Sequence, residues 1–263
     1  MLTVKPIVLS TSYLQNDKHT IVSDKFKVIQ ASSVGDAMQA NGLKLVSLQT
    51  GRARQEDKAN FQRTLSRYRG PMIAEDNGKG IFLDVIYSSK HMGRGVDEIF
   101  LGIYRMVCLN GLMAGRTFFR QGIRHNGDTY ESLNSGIVAA LDSAAKLGGI
   151  VNNMKQLQLT VDQKQELALE AVKILTPEKA LQVKHRLLAP RRTEDTNNDL
   201  WSVFNVIQEN AVQGHSVGYT LASVDAQGRE SRRIMNVRAI KPNTAKDAEF
   251  NQGLFDVAAK LVA

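Results

Sequence analysis

The sequence predicts an α+β fold, with an N-terminal antiparallel sheet built on a strand-strand-strand-helix core and a mostly helical C-terminal half. Three observations predict it. Runs of strand formers at 43–50, 61–69 and 81–87 are separated by turn residues. From Val96 the apolar spacing changes to a helical one. Beyond Asp128, helix caps and helical periodicity dominate. Strands gathered ahead of helices argue for α+β rather than alternating α/β. The organisation expected is a sheet-rich region with basic strands over 1–126 and a helical region over 127–263, joined as one continuous compact domain.

Each element follows from local chemistry. Residues 5–30 alternate short apolar and polar runs and read as strands, most clearly at 26–30. Ser33 reads as the N-cap of a short helix over 34–39, closed by Asn41-Gly42. The run 43–50 is a strand entering Gly51-Arg52-Ala53-Arg54, and 61–69 is a second strand that Gly70-Pro71 breaks. Asn77-Gly78-Lys79-Gly80 is a turn leading into a third strand at 81–87. Val96, Ile99, Phe100, Ile103, Tyr104 and Val107 then recur at helical spacing, so 97–114 reads as an amphipathic helix.

The residues 118–123 suit another strand. Asp128 caps a long helical region to about 157, bent at Gly148-Gly149. Thr160 and Gln163 have the spacing of a capping box for a helix to 175, and Pro177 stands at the first position of the next. A helix over 199–212 carries Leu200, Phe204, Ile207 and Ala211 on one face. The stretch 214–232 reads as an exposed loop or loose hairpin, and the last helix covers 244–262.

Composition narrows the function classes. Hydrophobic residues make up 43% and charged residues 23% of the 263, which suits a folded globular chain rather than a disordered one. Thirty-four Lys and Arg against 26 Asp and Glu leave +8, and such a surplus favours polyanionic partners. Cys108 is the single cysteine, so no internal disulfide forms, and its apolar neighbours Met106, Val107 and Leu109 mark it as a buried, inert thiol. The first residues lack the apolar core of a signal peptide and no apolar run has the length of a membrane span, so the expected compartment is the cytoplasm.

Catalytic signals are missing. There is no Gly-x-Ser-x-Gly nucleophile elbow, and the five histidines are scattered without metal-ligand spacing. A carboxylate site drawn from Asp76, Asp84 or Glu98 would have to assemble in three dimensions. Asp76-Asn77-Gly78-Lys79-Gly80 lacks the Ser or Thr and the following helix of a phosphate loop. No catalytic residue, metal or cofactor is therefore assigned.

The basic residues are the specific signal. Arg52, Arg54, Arg63, Arg67 and Arg69 cluster on two successive strands, and Arg63, Arg67 and Arg69 share one parity. Guanidinium groups suit phosphate because the planar fork donates two bonds at once. Tyr68, or Phe61, is the expected base-stacking aromatic. Arg116, Arg120 and Arg124 form a second basic group. The alternative reading of the stripe is a solvated edge protected by charge.

Several segments in order resemble one family: Arg105-Met106-Val107-Cys108-Leu109-Asn110-Gly111, His125-Asn126-Gly127-Asp128, Ala189-Pro190-Arg191-Arg192-Thr193-Glu194-Asp195, and Asn198-Asp199-Leu200-Trp201 with Asn205 and Glu209-Asn210. The chain resembles domain-of-unknown-function family 932, the phage/plasmid-like proteins of prophages, phages and conjugative elements, from about residue 25 to the C-terminus. It departs at Leu109, where many relatives have Thr. The resemblance implies a mobile-element setting and no established activity. The strand-strand-strand-helix order also resembles the core of phage single-strand annealing proteins, an analogy of fold alone. Asn205 and Glu209, four apart on one helix face, could pair with Arg191 or Arg192 as structural glue. The expected function is thus a non-enzymatic, nucleic-acid-binding protein, with single-stranded DNA favoured and annealing in recombination as its task. A homo-oligomer stays open, and a host-takeover or anti-defence factor binding a host protein is the alternative.

Overall fold

A computed structural model describes residues 7–51, 55–90, 95–105, 110–112, 119–175, 185–214, 218–224, 227, 230–236, 238–240 and 245–262. The elements in chain order are α1 (Thr11–Leu14), α2 (Ala31–Ala40), β1 (Lys44–Thr50), β2 (Thr64–Asp76), β3 (Lys79–Ser89), β4 (Asp97–Arg105), β5 (Asn110–Leu112), β6 (Arg120–Ile123), α3 (Thr129–Asp142), α4 (Ala144–Gln156), α5 (Val161–Leu175), α6 (Leu200–Gln213), β7 (Gly218–Val224), β8 (Glu230–Asn236) and α7 (Ala245–Lys260). An N-terminal antiparallel sheet precedes a mostly helical region, as the α+β reading requires. Among the described residues no helix is long and apolar enough to cross a membrane.

The chain divides into two compact units. The first comprises Met1–Glu75, Gly80–Arg105 and Phe118–Ala145; the second comprises Asp76–Lys79, Met106–Thr117 and Lys146–Ala263.

In the first unit the strands lie in the order β1-β2-β3-β4, with β6 also paired to β4. The β2–β3 hairpin turns on Asn77 and Gly78, at φ 50° and 71°. Two successive left-handed residues suit the twist of a hairpin, and Asn-Gly adopts them at least cost. One sheet face carries Leu83, Val85, Ile99, Leu101 and Ile103, each at most 1% exposed. Helix α3 packs against this face. A Cβ on Gly136 would fall 2.9 Å from Cδ1 of Ile99, so the close approach needs a residue without a side chain.

Four expectations for this unit are corrected. Residues 97–105 form strand β4, not the start of a helix. Nearly every position of β4 is buried, on both faces of the pleat, and its middle from Ile99 to Ile103 is apolar without alternation. Such a run matches a helical period by default, and its β-branched and aromatic content was the better guide.

Strand β2 runs through Gly70-Pro71 to Asp76. The Arg63 carbonyl accepts from the Gly51 N–H, so odd-numbered β2 residues turn their backbone groups toward β1. The register with β1 ends at Arg69, so Pro71 faces a position without a partner strand and costs no ladder bond. Residues 26–30 form no strand. Phe26 stacks on His125 at 4.1 Å, and the Lys27 N–H donates to the His125 carbonyl at 2.7 Å, which fixes the segment by other means. The helix after it starts at Ala31, with Gln30 rather than Ser33 at the cap position.

In the second unit α6 is the central element. Every residue from Leu200 to Ala211 is buried, so this helix is enclosed on all sides. Trp201 stacks near Phe204 at 5.8 Å, and Phe204 meets Phe255 of α7 edge-on at 5.8 Å. The Asp199 side chain caps α6, accepting from the Ser202 N–H at 2.9 Å and the Ser202 hydroxyl at 2.8 Å. Thr160 and Gln163 form the reciprocal capping box before α5. The helical region after Asp128 breaks between α3 and α4, at Ser143, whose hydroxyl donates back to the Ala139 carbonyl. Gly148-Gly149 lies within α4 instead. Residues 214–232 include most of a β7–β8 hairpin, with Tyr219 opposite Met235.

Candidate functional site

One set of charged side chains of the first unit gathers on the sheet face opposite α3. Antiparallel register places Asp84 across from Gly102, Ile86 across from Phe100 and Ser88 across from Glu98. Arg120 lies opposite Phe100 on the other side of β4. Directly opposed residues share a face, so these side chains form one surface.

Two carboxylates organise it. Asp84 is fully buried and accepts from Arg67 Nη1 at 2.9 Å, Arg69 Nε at 2.6 Å and Arg69 Nη2 at 3.3 Å. Glu98 is also buried, with Lys90 Nζ at 3.3 Å and Arg120 Nη2 in direct contact. Burial raises the Glu98 carboxyl, but its hydrogen bond to Arg120 and the charges of Lys90 and Arg120 outweigh this and hold it below the usual carboxylate range. Arg63 Nε donates to Ser88 Oγ at 2.8 Å. Five cations linked by contacts therefore stand against two carboxylates, a surplus of three positive charges. The carboxylates lie deep and most of the cations lie further out: Arg63 is exposed, and the Arg120 side chain is 43% exposed.

The anticipated stripe is thus partly confirmed in position and changed in meaning. Arg63, Arg67 and Arg69 do share a face, but Arg67 and Arg69 are committed to Asp84. Tyr68 points the opposite way, is 2% exposed, and meets the Tyr13 hydroxyl at 3.1 Å. Burial, with that hydrogen bond, pushes its phenol far above the ordinary range, so Tyr68 is a core residue and not a stacking surface. Phe61 is half-buried, edge-on to His19 at 4.8 Å. Arg124 is exposed, one residue past β6. Arg52, Arg54, Arg116 and Cys108 lie outside the described residues. Phe82, Tyr104 and Lys90 were not anticipated at the site, and Asp84 and Glu98 only as candidates for a carboxylate site. Their signal is plain alternation along β3 and β4, visible once β4 is read as a strand.

A second polar cluster underlies the His-Asn-Gly-Asp segment. His125 Nδ1 lies 3.0 Å from the Lys27 carbonyl and Nε2 lies 3.0 Å from Asp97 Oδ1. Both neighbours only accept, so a ring protonated on both nitrogens satisfies both. Burial pulls the ring toward neutrality, but the hydrogen bond and charge of Asp97, with the Lys27 carbonyl, outweigh it and raise the His125 pKa. Asp97 also accepts from the Tyr87 hydroxyl and from the Lys90 N–H at 2.7 Å. Gly127 takes φ 76°, and Asp128 caps α3 through Tyr130 and Glu131. The members of this cluster hold segments of the chain together through these contacts.

The Pro-Arg-Arg segment is held by α6 in the second unit. Arg192 forms a forked pair with Glu209, at 2.7 Å for Nη1. Arg191 Nε donates to Asn210 Oδ1 at 2.6 Å, and Asn210 Nδ2 donates to the Leu187 and Ala189 carbonyls at 3.0 Å. Asn205 instead donates to the Trp201 carbonyl of its own helix. The glue reading holds for Glu209 and not for Asn205, while Asn210, which it did not include, holds Arg191. Among the described residues no group of three or more His, Cys, Asp or Glu is placed to hold a metal ion.

Two proteins of Escherichia coli (strain K12) are similar over most of the chain. UPF0380 protein YafZ is 27% identical and UPF0380 protein YfjQ 26% identical, each over 252 residues that cover 95% of this chain and 88% of the relative. No solved structure matches. The family model described as Domain of unknown function (DUF932) matches residues 18–249, and this chain belongs to that family.

Proposed function

We propose that this chain is a nucleic-acid-binding protein without catalytic activity, which holds single strands through the charged sheet face for annealing in the recombination of a phage or other mobile element. The observation that carries the reading is the surplus of three positive charges on a face whose two carboxylates are buried and each in contact with two cations. Phosphates meeting that face find guanidinium and ammonium groups at the outside and no competing exposed acid within the contact-linked set. A rigid sheet also fixes the spacing of its cations, which lowers the entropy lost when a strand is held.

The test is the salt dependence of binding to a labelled oligonucleotide, followed by anisotropy. Arg63 forms no ion pair among the described residues, so replacing it by Ala removes charge without breaking a buried bridge. If it touches phosphate, the log–log salt slope should flatten by roughly 0.7. An unchanged slope in the folded variant would refute this face as the site. No binding at low salt would refute the nucleic-acid reading and leave an acidic host protein as the partner that the same charge surplus supports.

A further inference from the structure

The apolar side chains of β3 and β4 are buried with two exceptions, and the exceptions face each other. Ile81, Leu83, Val85, Ile86, Ile99, Phe100, Leu101 and Ile103 are all at most 6% exposed. Phe82 and Tyr104 alone are only half-buried, and they are direct partners in the register. Both lie on the charged face. The Arg69 guanidinium sits 3.4 Å from the centre of the Tyr104 ring and 5.9 Å from that of Phe82. Asp84 also binds this guanidinium, so the cation is fixed against the ring. Gly80 makes room for the step: a Cβ there would fall 2.5 Å from Phe82 Cε2.

We infer that Phe82 and Tyr104 form a stacking step for an unpaired base, which makes this face select single strands over duplex. The inference rests on the nucleic-acid reading above and adds residues to it. Every base has a π-face, so an aromatic step beside a cation takes bases without regard to sequence. A duplex keeps its bases stacked on one another and presents only its backbone, which the cations serve equally well. The arrangement thus contains one element that responds to unpaired bases and another that responds to phosphate.

The experiment compares wild type, Tyr104→Leu and Phe82→Leu on single-stranded DNA, single-stranded RNA and duplex DNA of equal length, after equal thermal unfolding has shown that each variant is folded. Leucine keeps the apolar bulk and loses the π-face. Single-strand affinity should fall roughly 5- to 150-fold per substitution, with duplex affinity unchanged and Tyr104→Phe close to wild type. A strand carrying 2-aminopurine should be quenched by wild type and less so by Tyr104→Leu. Equal loss on DNA and RNA strands identifies the base as the group recognised. Equal loss on single strand and duplex, or no loss on either, would overturn the stacking step while the backbone reading stands. If wild type binds neither strand nor duplex, both fall.

Discussion

Replacing Asp84 by Asn is expected to destabilise the first unit by about 3–5 kcal/mol, the usual cost of removing one partner from a buried ion pair. The structure puts Asp84 near the severe end. Its side chain is inaccessible to solvent, that of Arg67 is 9% exposed, and that of Arg69 is 23% exposed. Asparagine is almost isosteric but carries no charge and accepts through a single oxygen. Two guanidinium groups would then face each other across a neutral amide, with Arg67 reaching little water. At roughly 2–4 °C per kcal/mol for a chain of this size, the first thermal transition should drop by about 6–20 °C. Pairing Asp84→Leu with Arg67→Met should restore part of the loss, with a coupling of roughly 0.5–3 kcal/mol in a double-mutant cycle. A loss under about 1 kcal/mol, or strict additivity in the cycle, would refute the reasoning. Asp84 would then be a solvated surface acid, and Arg67 and Arg69 would be free to hold phosphate after all.

Because the His125 pKa is raised in the folded state, its contribution is fully present below its unfolded value near 6.5 and is lost as pH rises through the folded value. Stability of wild type should therefore fall as pH climbs above that point, and His125→Gln should flatten this dependence in pH-resolved urea melts; identical profiles would count against the ion pair with Asp97. Removing the α6 cap with Asp199→Ala should cost roughly 0.5–2 kcal/mol in chemical unfolding, and no change would mean that another group takes over the Ser202 N–H. Arg192→Lys keeps the charge but loses the fork to Glu209, so it should still destabilise the second unit by roughly 1–2 kcal/mol, whereas a simple point-charge interaction would tolerate lysine.

The fold was legible where a residue's role is local. Asp128 and Asp199 cap helices because a carboxylate two or three residues ahead of free N–H groups has one favourable use, and Asn77-Gly78 makes a hairpin because both residues accept positive φ. Strand β4 was illegible for a different reason. Its side chains are buried on both faces, so polarity no longer marks which way each one points, and the apolar pattern loses its period. The missed strand had a consequence at the site. With 97–105 read as helix, Glu98 and Tyr104 could not be placed beside Asp84 and Arg120, and the charged face remained invisible.

Parity along β2 correctly put Arg63, Arg67 and Arg69 on one side, yet parity is silent about what lies across the ladder. The charge that a strand offers to a ligand is set by its neighbours in register, here Asp84 for two of the three arginines and Ser88 for the third. The same neighbours decide the aromatic question. Tyr68 is adjacent to the arginines in sequence but one pleat away in space, turned into the core against Tyr13, while Tyr104 is thirty-five residues from Arg69 and in contact with it. In a sheet, functional proximity runs across strands rather than along them. A stripe of arginines is therefore informative about a partner only after each has been matched to the acid or ring opposite. On that count Arg63 is the exposed arginine among the three of the stripe, and Arg69 is held by Asp84 against the Tyr104 ring.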